Sequence, residues 1–389
     1  MVIRIPIVLA SDKNYAPQMY ITMLSAIKNK DKNTYYDFYC LIPKPFSKNV
    51  QKKFYRLKTD KINIKFICMK NEFTDCKVTL NHVATPTYYR LKIAELLPQY
   101  EKAIYLDVDT IVLGDLTELY NTDLKDNYIA GVHSATAEMN YKHEKIQDMT
   151  KYINAGVVLF NISQIKKDNM TKKLLSLIGK NYPLADQDII NVAFNGKIKL
   201  VDFKYNIMTY YKDLMNNPET KKRFEEIYGK ENFENALKNP VIIHYLSNRK
   251  PWAHKDIFLD EHWHKYAMKS KLKCNICNYR YLLKNKFYKQ IKNLKSKKVL
   301  LWGASLFLTE ALKNYSFKYK NILGVIDKNP TRKGQFIESL EIFSPEDIKN
   351  LNPDIIIVTI ENNTNDRILE INEYMNNNGL NNIDVVGVN

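Results

Sequence analysis

The chain is short of the features that would place it outside a reducing compartment or across a bilayer. It has five cysteines in 389 residues, an odd and sparse set that gives no disulfide framework. Cys274 and Cys277 form a C-x-x-C pair. No second pair and no suitably spaced histidine pair accompanies them, so two reduced thiols are expected there rather than zinc. No uninterrupted apolar run reaches the roughly 18–20 residues of a spanning helix. The segment Met1–Ala10 is too short for a secretory leader and reads as a first strand. Internal repeats are missing, and biased composition is confined to Asn-rich patches. The expectation is a cytoplasmic globular protein, long enough for a large core and more than one domain.

Acid is missing from one long stretch. The formal net charge is +17, and between Lys265 and Lys298 stand twelve Lys or Arg residues and no Asp or Glu. Tyr266, Tyr279, Tyr281, Leu282, Leu283, Phe287 and Tyr288 are interleaved with them. Basic residues with aromatic and aliphatic neighbours suit an anionic membrane surface or nucleic acid. No nucleic-acid module signature accompanies the segment. Residues 265–296 are therefore read as a basic connector able to lie on the inner face of the cytoplasmic membrane, a solvated linker being the plainer alternative.

What is present is a run of strand-like residues that ends in charge. Ala103-Ile104-Tyr105-Leu106 runs into Asp107-Val108-Asp109. In an extended backbone, side chains alternate faces, so the two carboxylates are expected on the same side. Carboxylates paired at a strand end are costly unless a positive charge lies between them. A hard divalent cation, Mn²⁺ or Mg²⁺, takes oxygen ligands and shares them with substrate phosphates. The triplet alone is a weak motif, because a chain of this composition carries one or two such triplets by chance, on the order of one per few hundred residues.

Hydrophobic periodicity organises the rest. Strands are expected at Ile3–Ala10, Phe38–Ile42, Ile62–Met69, the Asp107 run, Tyr128–Val132, Val157–Phe160 and Val241–His244. Helices are expected at Pro17–Lys28, Lys48–Leu57 and Thr87–Leu97. This alternation predicts an α/β layered domain over residues 1–264 with a mainly parallel sheet, whose ligands gather at the carboxyl ends of strands. Residues 204–240 read as a polar helical excursion. A second pattern over residues 297–389 begins with Lys298–Ser305, continues through Ile322–Asp327 and Asp354–Ile360, and predicts a small α/β unit.

Five further segments fall in order around the Asp107 run: Ala10–Tyr15, Thr87–Leu91, Asn154–Val157, Leu184–Asn191 and His244–Trp252. With them, residues 3–265 resemble glycosyltransferase family 8, which includes bacterial lipooligosaccharide galactosyl- and glucosyltransferases. The resemblance implies a GT-A fold, a UDP-sugar donor, a DxD motif with bound manganese, and retention of the anomeric configuration. It places the nucleotide at Ala10, Asp12 and Asn14, and the metal on Asp107, Asp109 and His244. Arg90 is placed near the donor sugar, Val108 in the donor site, and Ser247 and Lys250 by the diphosphate. The sugar would be lined by His82, Asn154, Ala155, Gly156, Asp186 and Gln187. Catalysis is expected by front-face displacement beside Gln187, with Asp186 as a covalent nucleophile in the alternative. Glucose and galactose are equal expectations for the sugar. The resemblance further implies an acceptor glycan or glycolipid of the cell envelope, as in lipopolysaccharide biosynthesis. The alternatives are a protein acceptor, or a non-catalytic nucleotide-sugar-binding scaffold. Ser247 stands where the family often has glycine.

The C-terminal pattern resembles the Rossmann-like domains appended to bacterial sugar-processing enzymes. It keeps only Gly303-Ala304-Ser305 of a G-x-G-x-x-G fingerprint, with Asp327 about where a ribose-binding acid would stand. A structural or docking module is expected more than a dinucleotide site.

Overall fold

The computed structural model of the protein describes residues 4–70, 72–73, 85–141, 143–146, 148–180, 182–246, 249–254, 257–272, 279–313, 321–360 and 364–388. The chain divides into two compact units, Met1–Cys277 and Asn278–Asn389.

In the first unit the strands are β1 (Arg4–Ala10), β2 (Tyr35–Ile42), β3 (Ile62–Cys68), β4 (Lys102–Leu106), β5 (Thr110–Val112), β6 (Ile129–His133), β7 (Ile153–Asn161), β8 (Ile198–Leu200), β9 (Ile207–Met208) and β10 (Ile242–His244). Seven of them form one sheet in the order β3-β2-β1-β4-β7-β6-β8. Pairing is parallel from β3 through β4 and between β6 and β8, and antiparallel where β7 meets β4 and β6. β1, β4 and β7 are buried along almost their whole length. Central strands covered on both faces need such continuous apolar runs. The helix Ala16–Asn29 begins with Pro17 in its first turn, where a missing N–H costs nothing, and buries Met19, Tyr20, Ile21, Met23 and Leu24. A second sheet, β5-β10-β9, brings β10 alongside the segment after β4.

Two local expectations are corrected. β4 stops at Leu106, and Asp107-Val108-Asp109 is a turn leading into β5 in the other sheet, not an extended strand end. The ladder makes its last bond from Asp107 N–H to Gly156 O at 2.8 Å, and the chain then turns, with Thr110 Oγ1 donating back to Asp107 O at 2.7 Å. The segment Thr87–Leu97 is a 3₁₀ helix over Thr85–Lys92 followed by one α turn, Ile93–Leu96.

The second unit carries β11 (Val299–Trp302), β12 (Ile322–Ile326), β13 (Phe336–Ile337), β14 (Leu340–Phe343), β15 (Ile355–Val358) and β16 (Asp384–Gly387). They form a sheet ordered β13-β14-β12-β11-β15-β16, parallel except for the β13–β14 pair. Described parts of the basic stretch belong to the two units. Lys265 and Tyr266 lie in the helix Asp260–Ala267 of the first unit, and Tyr279–Asn293 is a helix of the second. Leu283, Phe287 and Ile291, spaced four apart, are buried in the second unit's core, the stripe expected of a core-facing helix. Lys286, Lys289 and Lys292 are exposed. Cys274 and Cys277 lie outside the described residues. No helix among the described residues is long and apolar enough to cross a membrane.

Candidate active site

The turn Asp107–Asp109 is fastened from three sides. Thr22 in the helix Ala16–Asn29 puts its hydroxyl 2.9 Å from Val108 O and 2.8 Å from Thr110 O. Ser25, one turn on, accepts from Val112 N–H at 2.9 Å. Tyr245 N–H, just past β10, donates to Asp109 O at 2.9 Å. The acidic turn is thereby held against β10 and its terminal residue, His244.

Three ligating groups converge there. One donor atom from each of Asp107, Asp109 and His244 lies within 4.8 Å of the other two. His244 Nε2 is 3.2 Å from Asp109 Oδ1 and 3.7 Å from Asp107 Oδ2. His244 is fully buried, and both its Nε2 and Asp109 Oδ1 lack a hydrogen-bond partner. Orphaned buried acceptors facing one another are costly unless a cation lies between them. The set of two carboxylates and one imidazole fits a divalent ion. Lys250 reaches into the cluster with Nζ 2.5 Å from Asp109 Oδ2 and 2.6 Å from Tyr245 O. Burial pushes the Asp109 carboxyl up and the Lys250 ammonium beside it pulls it down, leaving the group below the usual carboxylate range.

Arg90, 4% exposed, joins this cluster to the next. Its guanidinium donates to Asp107 Oδ1 (2.8 Å), Ala155 O (2.5 Å), Thr87 O (3.0 Å) and Thr87 Oγ1 (2.8 Å). Its Nε also lies 2.9 Å from Asp186 Oδ2. The guanidinium sits 4.1 Å over the ring of Tyr105, whose hydroxyl donates to Asp107 Oδ1 at 2.9 Å. Burial works against the Arg90 charge, and Asp107 and Asp186 more than restore it. Asp186 is buried, and desolvation holds its carboxyl above the ordinary value despite Arg90 and a bond from Thr87 Oγ1 at 2.8 Å.

The amides form the remaining wall. Gln187 Oε1 accepts from Asn154 Nδ2 (2.9 Å) and Ala155 N–H (3.1 Å), and its Nε2 donates to Tyr152 OH at 3.3 Å. Asn154 Oδ1 accepts from Gly156 N–H at 3.0 Å and from Asn206 Nδ2 at 2.9 Å. Gly156 is there because nothing larger fits: an added Cβ would stand 2.1 Å from His244 Cε1 and 2.8 Å from Asp107 Oδ2. Ala185, before the helix Asp186–Ala193, has φ 50°, a backbone strain of the kind that clusters at functional sites.

Ala10, Asp12 and Asn14 stand at the same sheet edge, because the parallel register Val8↔Tyr105 brings Ala10 level with Asp107. Asp12 accepts from the N–H groups of Asn14 and Tyr15, which shapes the loop. His82 and Ser247 lie outside the described residues. Sequence reasoning missed Thr22, Thr87, Tyr105, Tyr152, Asp188 and Asn206. Of these only Asp188 carries a local signal: it stands in the first turn of the motif helix Asp186–Ala193 and accepts from Tyr152 OH at 2.5 Å and Leu184 N–H at 2.8 Å.

Comparison with known proteins bears on this geometry. Residues 6–256 match glycosyl transferase family 8, and residues 295–386 match the domain described as C2185-like, N-terminal. A putative glycosyltransferase of Haemophilus influenzae is 28% identical over 265 residues, covering 66% of this chain and 75% of its own length. A lipopolysaccharide 1,2-glucosyltransferase of Escherichia coli is 27% identical over 251 residues, covering 62% and 71%. An active-site mutant of LgtC superposes with a TM-score of 0.59 at 25% identity, covering 69% of this chain and 97% of that one.

Proposed function

The chain belongs to glycosyl transferase family 8, and from that premise we propose that it is a metal-dependent, retaining hexosyltransferase that uses a UDP-sugar. Its first unit has the GT-A fold. The observation that carries the proposal is the convergence of Asp107, Asp109 and His244 around two orphaned buried acceptors. These three residues would hold Mn²⁺, which when bound supplies Lewis-acid charge to a nucleoside diphosphate.

The chain's own residues have the remaining roles in this reading. Lys250 balances Asp109 in the structure and is placed to share its charge with the diphosphate as negative charge grows on the leaving group. Ala10, Asp12, Asn14 and the backbone of Val108 would receive the nucleoside end, and Asn154, Ala155, Gly156 and Gln187 the sugar. His82 and Ser247 are proposed for the sugar pocket and the phosphates on the family resemblance alone. Both ends of the Gln187 amide are engaged by the protein, and an amide is a poor nucleophile, so its proposed part is to orient. Asp186 faces Thr87 and Arg90, which favours a role in holding Arg90 over one as covalent nucleophile. Front-face displacement, with the departing diphosphate accepting the acceptor's proton, then needs no protein nucleophile.

We place the acceptor among cell-envelope glycans or glycolipids, in keeping with the Escherichia coli relative's name. The exposed Lys286, Lys289 and Lys292 support a cytoplasmic enzyme that meets an anionic membrane surface electrostatically rather than by inserting its buried apolar stripe. For the second unit we propose a Rossmann-like docking or structural module. Both oxygens of Asp327 are occupied, by the N–H groups of Ala304 and Asn329 at 2.9 Å each. Gly303, at φ 106°, is packed against Ile360, leaving no room for a side chain.

The test is donor hydrolysis followed by proton NMR with UDP-glucose and UDP-galactose in Mn²⁺. The α-anomer of the released sugar is expected first. The β-anomer as the first product would overturn retention, and no turnover of any UDP-hexose would overturn the reading.

A further inference from the structure

We propose that Asn206 is a positioning residue that holds His244 in its Nδ1-protonated form, so that the bare Nε2 faces Asp107 and Asp109. The inference rests on the metal reading of that cluster and adds to it the element that sets the histidine's direction.

Which way a side-chain amide points, and which ring nitrogen of a histidine carries the proton, must be assigned from the hydrogen-bond network. Here the network starts from groups that allow no choice. A backbone N–H can only donate. Ala155 N–H meets the Gln187 amide at 3.1 Å, so the atom it meets is Oε1. Gly156 N–H meets the Asn154 amide at 3.0 Å, so that atom is Oδ1. Asn154 must then present its NH₂ to Gln187 Oε1, 2.9 Å away, and both directions agree. Asn206 lies 2.9 Å from Asn154 Oδ1, an acceptor, and must turn its own NH₂ toward it. Its Oδ1 is left facing His244 Nδ1 at 3.0 Å. An amide oxygen accepts only, so Nδ1 carries the hydrogen.

The consequence falls on the far side of the ring. A neutral imidazole protonated at Nδ1 has a lone pair at Nε2, the form in which histidine ligates a metal. His244 and Asn206 are both fully buried, so no water substitutes for the amide. Two backbone N–H groups of β7, those of Ala155 and Gly156, thus set the tautomer of a residue on β10 through three amides.

The experiment uses the full chain labelled with ¹⁵N-histidine, in EDTA, with two-bond proton–nitrogen correlation spectra. The His244 signals are identified by their loss in His244→Gln. Wild type is expected to show Nδ1 protonated and Nε2 bare; a proton on Nε2 would overturn the proposal. In Asn206→Leu the proton is expected to move to Nε2, where Asp109 Oδ1 accepts it at 3.2 Å. Calorimetric affinity for Mn²⁺ alone is then expected to fall about 10- to 100-fold. Asn206→Asp keeps an acceptor toward Nδ1, though it turns its second oxygen toward Asn154 Oδ1, and it is expected to keep the proton on Nδ1; a bare Nδ1 in this variant would overturn the proposal even where the leucine variant fails to fold. A folded leucine variant with unchanged tautomer and Mn²⁺ affinity would overturn the proposal. Failure of wild type to bind Mn²⁺ at all would count against the metal reading, while the spectrum would still decide the tautomer.

Discussion

Replacing Gly156 by alanine adds one methyl group at the most crowded point of the site. Its Cβ would lie 2.1 Å from His244 Cε1, 2.7 Å from His244 Nδ1 and 2.8 Å from Asp107 Oδ2. Ordinary carbon contacts need about 3.5–4.0 Å, so the imidazole would have to retreat by about 1.5 Å. It has nowhere to go without breaking the Asn206 bond, since His244 is fully buried. Overpacking of this kind costs about 1–3 kcal/mol, a loss that lowers Tm by several degrees while leaving the fold intact. The functional loss is larger. Misplacement by about 1 Å costs about 100-fold in a positioned reaction, so donor hydrolysis should fall by at least that factor. Mn²⁺ affinity, measured by calorimetry, should fall at least about tenfold, as when a ligand's support is removed. Gly114→Ala is the control, because the nearest atoms to its Cβ belong to the Val241 side chain, at 3.2 Å, and none to the site, and it should keep both properties. Undiminished Mn²⁺ binding and hydrolysis in Gly156→Ala would refute the packing of β7 against His244 and the role given to that histidine.

Arg90→Met leaves Asp107 and Asp186 without the buried cation between them, and should cost about 3–5 kcal/mol in denaturant unfolding. Arg90→Lys should restore little, because one ammonium cannot reproduce four donor contacts. Asp115 is held below the usual carboxylate range: burial pushes it up, but bonds from Thr117, Asp31 N–H and Thr34 outweigh that. The stability it adds is therefore complete above its unfolded value of about 3.9 and is lost as pH falls through the lower folded value. The Tm gap between wild type and Asp115→Asn should be open at pH 7 and close in acid; a gap independent of pH would contradict this. Asp327→Ala should cost the second unit about 1–3 kcal/mol by stripping the acceptor from Ala304 and Asn329 N–H. Unchanged unfolding would show the carboxylate is not structural.

What could be read from the sequence was what lies along it. β1 and β2 appear as nearly continuous apolar runs because a strand covered on both faces must be largely apolar, β3 shows the alternation of an edge strand, and Gly156 stands out by its smallness. The acidic pair was legible as chemistry but not as geometry. Asp107 and Asp109 converge through a turn between two sheets, which period-two alternation cannot anticipate. The core contribution of the basic stretch was not legible for a similar reason. Leu283, Phe287 and Ile291 repeat at helical spacing, and composition alone cannot tell a core-facing stripe from a membrane-facing one. Asn206 and Thr22 were illegible altogether, since their partners, His244 and Val108 O, lie 38 and 86 residues away. Only the folded chain brings such groups together.

The central claim is that Asp107, Asp109 and His244 bind a metal that holds the donor's diphosphate. It is tested most directly by calorimetric titration of the protein with UDP, once in Mn²⁺ and once in chelator. Binding in Mn²⁺ that disappears both in chelator and in Asp109→Asn is the predicted result. UDP binding of equal strength in chelator, or unaltered by Asp109→Asn, would contradict it.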